Sequence, residues 1–453
     1  MANVLVLVNP ATLQILSTKD YIASFELFSE HQISYLPEIP PPWLLSEQKV
    51  GRTEQDYSEI LSGFDAVVIT QHLRPCFDGW INENLNNALL KFKGSKVIFL
   101  HDEYDYTEKT RAWIEEQSVD LVYTVVPDDH VAKVYEPGRF PHTLFRSILT
   151  GYLPLKFSDQ NSSTPIADRE HLLVYRGRVS PESYGELAKQ KETIGRFFDA
   201  YCSQHDFNAD IQWEEAERVY GLDWYRLLAT GVATLGTESG SNVFDEFGYI
   251  RKHVDEGRSL PGPKNLNFRE ENLGFKMNQI SPRLFEAIGC GTGLVLYEGD
   301  YSNILEAGEH FIAVKHDHSN VSDVMDQLQD SKLIQAVVDR AWEHVASNNE
   351  MHFEHLISMF DADLKDRLKT RGVSSGKQQA TSPNLLVGDF SDVSATGIGV
   401  FSALHKEAST FQRVITTALP SGLKATLVAK LSRFPRLKKF LKRVVQLVRD
   451  IRS

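Results

Sequence analysis

Several features of secreted, membrane-spanning and metal-binding proteins are missing from this sequence. Its 453 residues include three cysteines (Cys76, Cys202 and Cys290), which are too few and too scattered for a disulfide framework or a cysteine-based zinc site. No stretch approaches the ~20 apolar residues of a membrane-spanning helix. The first apolar run, Val4–Val8, lacks a basic flank and a cleavage site, so it predicts a strand and not a signal peptide. We therefore expect a cytoplasmic protein.

Common catalytic motifs are also missing. The histidines show no HExxH spacing, the cysteines form no CxxC pair, and there is no GxxxxGK[ST] phosphate loop. Gly236 and Ser239 fail the GxSxG spacing of a nucleophile elbow by one position. These patterns argue against a zinc hydrolase, a P-loop ATPase and an α/β-hydrolase, and we expect neither a metal nor a cofactor.

Charge is distributed unevenly along the chain. The formal net charge is −13, but the segment Lys424–Ser453 has ten basic residues and one acid. The remainder carries 38 basic against 60 acidic residues, a net charge of −22. An acidic body argues against nucleic-acid binding, so we expect no nucleic-acid partner.

Short apolar runs alternate with amphipathic stretches in the first part of the chain, as in a parallel α/β sheet. The predicted strands are Val4–Val8, Ala66–Thr70, Lys96–Leu100 and Leu121–Val126, and the predicted helices are Ile81–Phe92 and Glu108–Gln117. Polar residues follow each strand. In an open α/β sheet they would line a ligand cleft beyond the carboxyl ends of the strands.

A second α/β pattern follows the polar segment Ser158–Asp168, which predicts a linker. Its strands are predicted at His171–Tyr175, Ala233–Gly236, Leu294–Tyr297 and Phe311–Val314, and its helices at Lys189–Ser203, Pro282–Ile288, Val321–Gln329, Leu333–Ser347 and Glu350–Leu368. We therefore predict an α/β fold of two Rossmann-like domains facing one cleft, residues 1–157 and 169–370. A flexible linker (371–400) and a basic amphipathic helical tail (401–453) would follow.

The most informative segment runs from Ser281 to Gly293 and precedes a predicted strand. Ser281 suits an N-cap and Pro282 the first helical position, so a short helix should begin here. Its free N–H groups and the nearby Arg283 would attract a pyrophosphate. Glu286, one turn later, could accept hydrogen bonds from both hydroxyls of a ribose. The alternative is a solvated carboxylate followed by turn glycines.

This segment resembles the GT-B glycosyltransferases, in particular the family-4-like group and the spore-maturation CgeB-like enzymes. Their pattern R-x-x-E-A-x-x-x-G is matched by Arg283, Phe285, Glu286, Ala287, Gly289 and Gly291. The resemblance implies the GT-B fold and a glutamate that binds the donor ribose. Many family-4 enzymes have a second glutamate eight positions earlier, where this chain has Asn278, so the stereochemistry of transfer stays open.

Basic residues follow the first strand of the second unit. Arg178 resembles the G-R element beside the donor phosphates of GT-B enzymes, and Lys191 resembles the lysine that joins it. Two cations could stabilise a departing nucleoside diphosphate without a metal. Without Glu286, simple solvation of a strand end would be the better interpretation.

The segment Glu238-Ser-Gly-Ser-Asn242 places small polar residues after a short strand, where backbone N–H groups can approach a ligand. It resembles a block of polysaccharide glycosyltransferases of this superfamily, which implies donor binding by Glu238, Ser239 and Asn242. A structural turn that Asp245 caps remains an equal alternative.

In the first unit, His101, Asp102 and Glu103 follow an apolar strand. A transferase must orient or deprotonate its acceptor hydroxyl, and a carboxylate or histidine at the cleft could do this. Asp102 is the preferred catalytic residue, followed by His101 and Glu103. Helix capping is the alternative role of these acids.

In the tail, the apolar residues share one helical face and are surrounded by lysine and arginine. They are Leu437, Phe440, Leu441, Val444, Val448 and Ile451. Such a helix can lie on an anionic membrane or pack on protein. We expect peripheral attachment to the inner face of the membrane.

Together these patterns predict a metal-independent glycosyltransferase that takes a nucleotide sugar as co-substrate. Its acceptor would be a glycan or glycolipid in surface polysaccharide biosynthesis. Two alternatives stay open: a nucleotide-sugar epimerase or isomerase on the same fold, and a non-catalytic carbohydrate-binding scaffold.

Overall fold

Two parallel β-sheets form the framework of the protein, for which the computed structural model describes residues 1–40, 52–157, 165–214, 217–255 and 277–371. The strands of the first sheet are Asn3–Val8 (β1), Gln32–Pro37 (β2), Ala66–Ile69 (β3), Ser95–Phe99 (β4), Leu121–Thr124 (β5) and Leu144–Ser147 (β6). They lie in the order β2-β1-β3-β4-β5-β6, and each neighbouring pair is parallel.

The second sheet is also parallel and is accompanied by a small antiparallel ribbon. The strands of this half are His171–Arg176 (β7), Ala209–Gln212 (β8), Gly231–Gly236 (β9), Ser239–Ser241 (β10), Met277–Gln279 (β11), Gly293–Tyr297 (β12) and Ile312–Val314 (β13). The sheet has the order β13-β12-β9-β7-β8, and β10 pairs with β11 in the ribbon. The predicted α/β fold with two Rossmann-like sheets is confirmed.

Helices connect the strands of both sheets. Those in the described residues are Leu16–Phe28 (α1), Glu54–Leu61 (α2), Glu83–Lys91 (α3), Thr107–Gln117 (α4), Asp128–Val134 (α5), Gly185–Gln204 (α6), Leu222–Thr230 (α7), Tyr249–Asp255 (α8), Pro282–Gly289 (α9), Val321–Gln329 (α10), Ser331–Ser347 (α11) and Phe353–Thr370 (α12). No helix among them is long and apolar enough to cross a membrane.

Helices cover both faces of each sheet, which explains the nearly continuous apolar runs of the strands. In β1, Leu5 and Leu7 join the core on one face, whereas Val4, Val6 and Val8 join the core on the other. Successive side chains of a strand point to opposite faces, so a strand that is buried on both sides must be apolar throughout. The predicted central strands were found for this reason.

Edge strand β2 lacked a sequence signal. Its sequence, Gln32-Ile-Ser-Tyr-Leu-Pro37, contains only two buried residues, Tyr35 and Leu36. It pairs with β1 alone, so its outer edge and much of its surface remain outside the core. A partly exposed strand needs no apolar run, and pattern reasoning therefore missed it.

The last helix, α12, packs on the first sheet although its sequence position follows the second. Phe360 and its apolar neighbours join the core that contains Val6. Asp361 accepts hydrogen bonds from Ser29 Oγ and the backbone N of Glu30, both at 2.6 Å. The sequence pattern did not indicate this packing, because an amphipathic period shows that a face is buried but not which element covers it.

Each of the two sheets contains one topological switch point, where the direction of the strand connections reverses. The order of connections reverses between β1 and β3 in the first sheet, and between β7 and β9 in the second. In such sheets ligands bind beyond the carboxyl ends of the strands at this reversal. Both sheets belong to one compact unit. The predicted basic tail and most of the predicted linker lie outside the described residues.

Candidate active site

At the carboxyl edge of the first sheet, Asp102 occupies a turn with an unusual backbone. Its φ is +52°, a left-handed conformation that aspartate tolerates better than most residues. Its Oδ1 accepts a hydrogen bond from the hydroxyl of Tyr104 at 2.8 Å, and Arg74 lies 3.6 Å from its Oδ2. The side chain is 51% exposed, so a ligand can reach it.

The pKa values around Asp102 show which groups are charged. Desolvation opposes the charge of Asp102, but Arg74 and the Tyr104 hydroxyl outweigh it, and the pKa of Asp102 falls below its ordinary value. Burial lowers the pKa of His101 to about 4 and that of His72 to about 3. At neutral pH this edge therefore presents an ionised carboxylate beside two neutral imidazoles.

Glu103 points into the protein, contrary to the expectation that it serves the acceptor. Its Oε1 accepts from the hydroxyls of Thr124 at 2.6 Å and Tyr135 at 2.5 Å, and its Oε2 accepts from the backbone N of Val125 at 2.9 Å. The residue is 4% exposed, and burial raises the pKa of its carboxyl. Through these hydrogen bonds Glu103 connects the loop after β4 with the end of β5, and its carboxylate is not available to a substrate.

The opposite edge of the cleft is basic. Lys191, on α6, donates to Ser239 Oγ at 3.2 Å, so two of the residues predicted to bind the donor come together. Burial and then the charge of Arg283 lower the pKa of Lys191 to about 8; Arg178 acts in the same direction, and Asp102 opposes it. The charges of Lys191 and Asp102 thus act on each other across the two halves.

Arg283 lies at the first turn of α9, as the sequence predicts. Pro282 occupies the first position of this helix, and Ser281 is the N-cap residue, although its hydroxyl makes no capping bond. The Arg283 guanidinium donates to the backbone O of Arg176 and stacks over the ring of Trp224 at 5.5 Å. Its pKa is lowered, first by burial. The helix N-terminus and Arg283 together favour an anion at this point.

Glu286 is buried one turn further along α9. It is 3% exposed, and its Oε2 accepts a hydrogen bond from the indole N–H of Trp224 at 2.8 Å. Burial raises its pKa to about 7, Trp224 and Arg283 lower it, and Asp20 of α1 raises it further. The residue therefore lies where the two halves meet, and it is partly protonated near neutral pH.

Glu238 and Asn278 are joined across the β10–β11 ribbon. Asn278 Nδ2 donates to Glu238 Oε2 at 2.9 Å, and the backbone N of Tyr301 donates to Oε1 at 3.1 Å. Asn278 occupies the position at which family-4 enzymes have a second glutamate. A carboxylate is therefore still present beside this position, but it comes from the turn between β9 and β10.

Asn242 has a positioning role in the structure. Its Oδ1 accepts a hydrogen bond from the backbone N of Leu187, in the first turn of α6. This contact satisfies one of the free N–H groups of the helix that carries Lys191. Asn242 thus acts through the helix, whereas Ser239 contacts the Lys191 ammonium itself.

The sequence interpretation missed a buried hub that joins the two edges. Asp105, with a side chain 2% exposed, accepts at Oδ2 from Tyr184 Oη at 2.7 Å, from Arg251 at 2.9 Å and from Arg74 at 3.3 Å. Arg74 lies in the polar segment after β3, so its position could have identified it as a candidate site residue. No sequence signal connects Asp105 with Arg251, which is 146 positions away.

Among the described residues, no three His, Cys, Asp or Glu side chains are grouped in a way that could hold a metal ion. The charges that interact across the cleft at Lys191 are those of Asp102 on one side and of Arg178 and Arg283 beside Lys191 on the other. Arg176, next to this group, is paired with Asp210 at 2.8 Å. In the part of the chain that the structure describes, no carboxylate lies within ion-pair distance of these three cations.

Comparison with solved structures finds several glycosyltransferases, all at low sequence identity. One is an α-glucosyltransferase in complex with UDP and a 13-mer DNA, at 10% identity over 80% of this chain and 99% of that one, with a TM-score of 0.48. Another is HepE from Anabaena in complex with UDP-glucose, at 12% identity over 82% and 100%, with a TM-score of 0.40. A third is AviGT4, a glycosyltransferase involved in avilamycin A biosynthesis, at 16% identity over 67% and 98%, with a TM-score of 0.29.

Sequence comparisons add nothing to these likenesses. No protein-family model matches the chain, and no curated protein matches it. Identities and TM-scores this low do not assign a function. The CgeB-like relationship therefore stays a resemblance, and the expectation that the protein has no nucleic-acid partner stays a prediction.

Proposed function

We propose that the protein is a GT-B glycosyltransferase that transfers a sugar from a nucleoside-diphosphate sugar to a glycan or glycoconjugate. The donor would bind to the second half, beyond the carboxyl ends of β7 and β9. The acceptor would bind to the first half beside Asp102. This assignment rests on the charges of the cleft and on the local sequence pattern, and the low-identity structural likenesses are not needed for it.

The observation that carries the proposal is the group of cations around Lys191. The pKa of Lys191 is lowered to about 8, which means that the charged form of this ammonium is destabilised in the folded protein. A dianionic diphosphate would offset this destabilisation, because it would accept hydrogen bonds from Arg178, Lys191 and Arg283 together. Surface solvation does not explain Lys191, because a solvated ammonium keeps its ordinary pKa.

The reaction needs a group at each edge of the cleft. The bond between the anomeric carbon and the diphosphate oxygen breaks, and the leaving oxygen takes the electron pair. The cations stabilise this developing charge. The acceptor hydroxyl oxygen bonds to the anomeric carbon, and its proton passes to Asp102 or through it to water. An ionised Asp102 beside neutral His101 suits this role.

Glu286 would hold the ribose of the donor. Its carboxylate already accepts a bond from the Trp224 indole, and its pKa near 7 lets ligand binding shift it toward the ionised form. Glu238 and Ser239 would line the sugar side of the site, and Asn242 would hold α6 in place. The acceptor glycan, surface polysaccharide biosynthesis and attachment to an anionic membrane through residues 401–453 belong to the same proposal.

Calorimetric titration with nucleoside diphosphates tests the assignment. UDP is the first probe, followed by GDP, ADP and dTDP, all without added metal. We expect one of them to bind, and Arg283→Met to weaken binding about thirtyfold. Arg226→Ala is the matched control, since Arg226 is exposed and paired with Asp223. If no nucleotide binds to the folded protein, the scaffold alternative replaces the proposal.

A further inference from the structure

Five aromatic side chains form a partly exposed patch at the rim of the cleft, beside Asp102. We call Phe77, Trp80, Tyr106, Phe247 and Tyr249 the aromatic rim. The first two follow β3, Tyr106 follows β4, and the last two come from the segment that leaves β10 and crosses to the first half. That segment pairs its Asp245 with Asp105 in a parallel bridge.

The rings of the rim lie close to one another. The ring of Phe77 is 5.0 Å from that of Trp80 and 5.8 Å from that of Tyr106, and the rings of Phe247 and Tyr249 are 5.7 Å apart. Gly248 connects the two groups. A Cβ at Gly248 would lie 1.7 Å from the Tyr106 ring, so the backbone between Phe247 and Tyr249 rests directly on that ring.

Two members of the rim are unusually exposed. Phe247 is 54% and Tyr249 is 73% exposed, and they are adjacent large aromatics on one short segment. Single exposed apolar residues are ordinary, but contiguous apolar surface at the edge of a cleft marks a binding surface. The contact of the Gly248 backbone with Tyr106 positions the segment that carries both rings.

The rim continues into the candidate active site. The Arg74 guanidinium stacks over the Phe77 ring at 4.6 Å and lies 3.6 Å from the Asp102 carboxylate. A chain-like ligand whose end reaches Asp102 would therefore extend over Phe77 toward the exposed rings. This position suits the part of an acceptor that does not react.

Charge at the rim decides the ligand class. Arg74 and Arg251 both bond to Asp105, and Lys109 bonds to Asp78 at 2.9 Å. Each of these three described cations stacks on a rim ring, and each thus has a carboxylate partner. A phosphodiester backbone needs cations that are free to replace its counterions, and Arg74, Arg251 and Lys109 are already paired. Uncharged sugar rings instead pack the C–H groups of one face against an aromatic ring, through dispersion and the ring quadrupole.

We infer that the aromatic rim binds a neutral oligosaccharide segment of the acceptor, distant from the hydroxyl that reacts. The inference rests on the proposed transferase function and adds the chemistry of the acceptor: several linked, uncharged sugars. Sugar rings would stack on Phe247 and Tyr249, and the reacting end would lie at Asp102.

The test compares the wild-type full chain with the Phe247→Ala/Tyr249→Ala double variant. Both are probed on an array of neutral and anionic oligosaccharides and with a single-stranded DNA oligonucleotide. Since the two rings are exposed, their removal should leave the thermal unfolding temperature unchanged. Phe28→Ala is the matched control, because Phe28 is a 37% exposed aromatic at the end of α1 and is not part of the aromatic rim.

We expect the wild type to retain neutral oligosaccharides, the double variant to bind them at least about tenfold more weakly, and Phe28→Ala to bind normally. Binding that the double variant retains, preference for anionic glycans or DNA, or no glycan binding at all would overturn the inference. UDP titration of the same samples separates the two proposals. UDP binding without rim-dependent glycan binding leaves the transferase assignment intact, whereas the reverse result leaves only a glycan-binding surface.

Discussion

The two edges of the cleft handle charge differently. On the first sheet, Arg74 is shared between Asp102 and Asp105, and burial keeps His101 neutral. On the second sheet, Lys191 donates to a hydroxyl, and its nearest charged neighbours in the described chain are mostly other cations. One edge satisfies its own charges, and the other leaves positive charge for a ligand to satisfy.

This difference shows how an unpaired buried cation can contribute to the affinity of a protein for an anionic ligand. A buried cation that lacks an anionic partner destabilises the folded protein, and an anionic ligand recovers that free energy on binding. A paired edge recovers nothing in this way, but it holds its catalytic group in one geometry. The second edge is therefore suited to affinity and the first to positioning.

The largest expected effect comes from removing the Asp105 carboxylate, which joins Arg74 to Arg251. Asp105→Ala should reduce the free energy of unfolding by about 4 kcal/mol, because it leaves Arg74 and Arg251 without their shared buried partner. Chemical denaturation measures this change. Asp223→Ala removes an exposed carboxylate and should change stability by less than about 0.5 kcal/mol. Equal effects of the two substitutions would show that Asp105 is not a hub.

Removing a cation tests the second edge directly. Lys191→Met should weaken binding of the preferred nucleoside diphosphate about a hundredfold, since the charge-assisted contact is lost in a desolvated site. Isothermal calorimetry provides the measurement. Lys189→Met is the control on the same helix, because Lys189 is exposed and paired with Glu186. A Lys191 variant that binds as tightly as the control would remove the basis of the donor site.

The first edge should affect turnover without affecting donor affinity. Asp102→Asn keeps the shape of the side chain but cannot take up a proton, and we expect the rate of nucleotide release with acceptor to fall about thirtyfold. Donor affinity should stay within a factor of about two. Asp129→Asn, at an exposed position after β5, is the comparison variant. An unchanged rate would transfer the base role to another group.

The smallest effect concerns pH and Glu286. Burial raises its pKa to about 7 from an ordinary 4.5, so its ionisation destabilises the folded state. That cost is absent below about pH 4.5, grows as the pH rises and is complete above about pH 7. Glu286→Gln should therefore match the wild type near pH 4.5 and exceed its stability at pH 8. A gain of roughly 1–2 kcal/mol is expected, below the ~3 kcal/mol that the full shift allows.

Denaturant unfolding at both pH values checks this prediction. A Gln variant that is less stable than the wild type at pH 8 would contradict it, since the ionised carboxylate would then be stabilising. Gln also keeps an oxygen that can accept from Trp224, so that the comparison isolates charge from hydrogen bonding.

Pattern reasoning identified the parts of the site that depend on local sequence. It placed the N-terminus of α9 at Pro282 and put Arg283 and Glu286 one turn apart, because capping and helix periodicity are local properties. It failed for Glu103, whose place after a strand suggested the cleft. The residues Thr124, Val125 and Tyr135 that sequester this carboxylate lie on other elements.

By itself, the sequence determined the α/β class, the buried strands of both sheets and the short helix that carries Arg283 and Glu286. Each of these follows from the period of apolar residues or from a local cap, which neighbouring residues specify. The tertiary structure alone decided that α12 returns to the first sheet, that Asp105 joins Arg74 to Arg251, and that Lys191 faces Asp102. These contacts link distant parts of the chain, and their energies depend on burial and on partners that no local pattern contains.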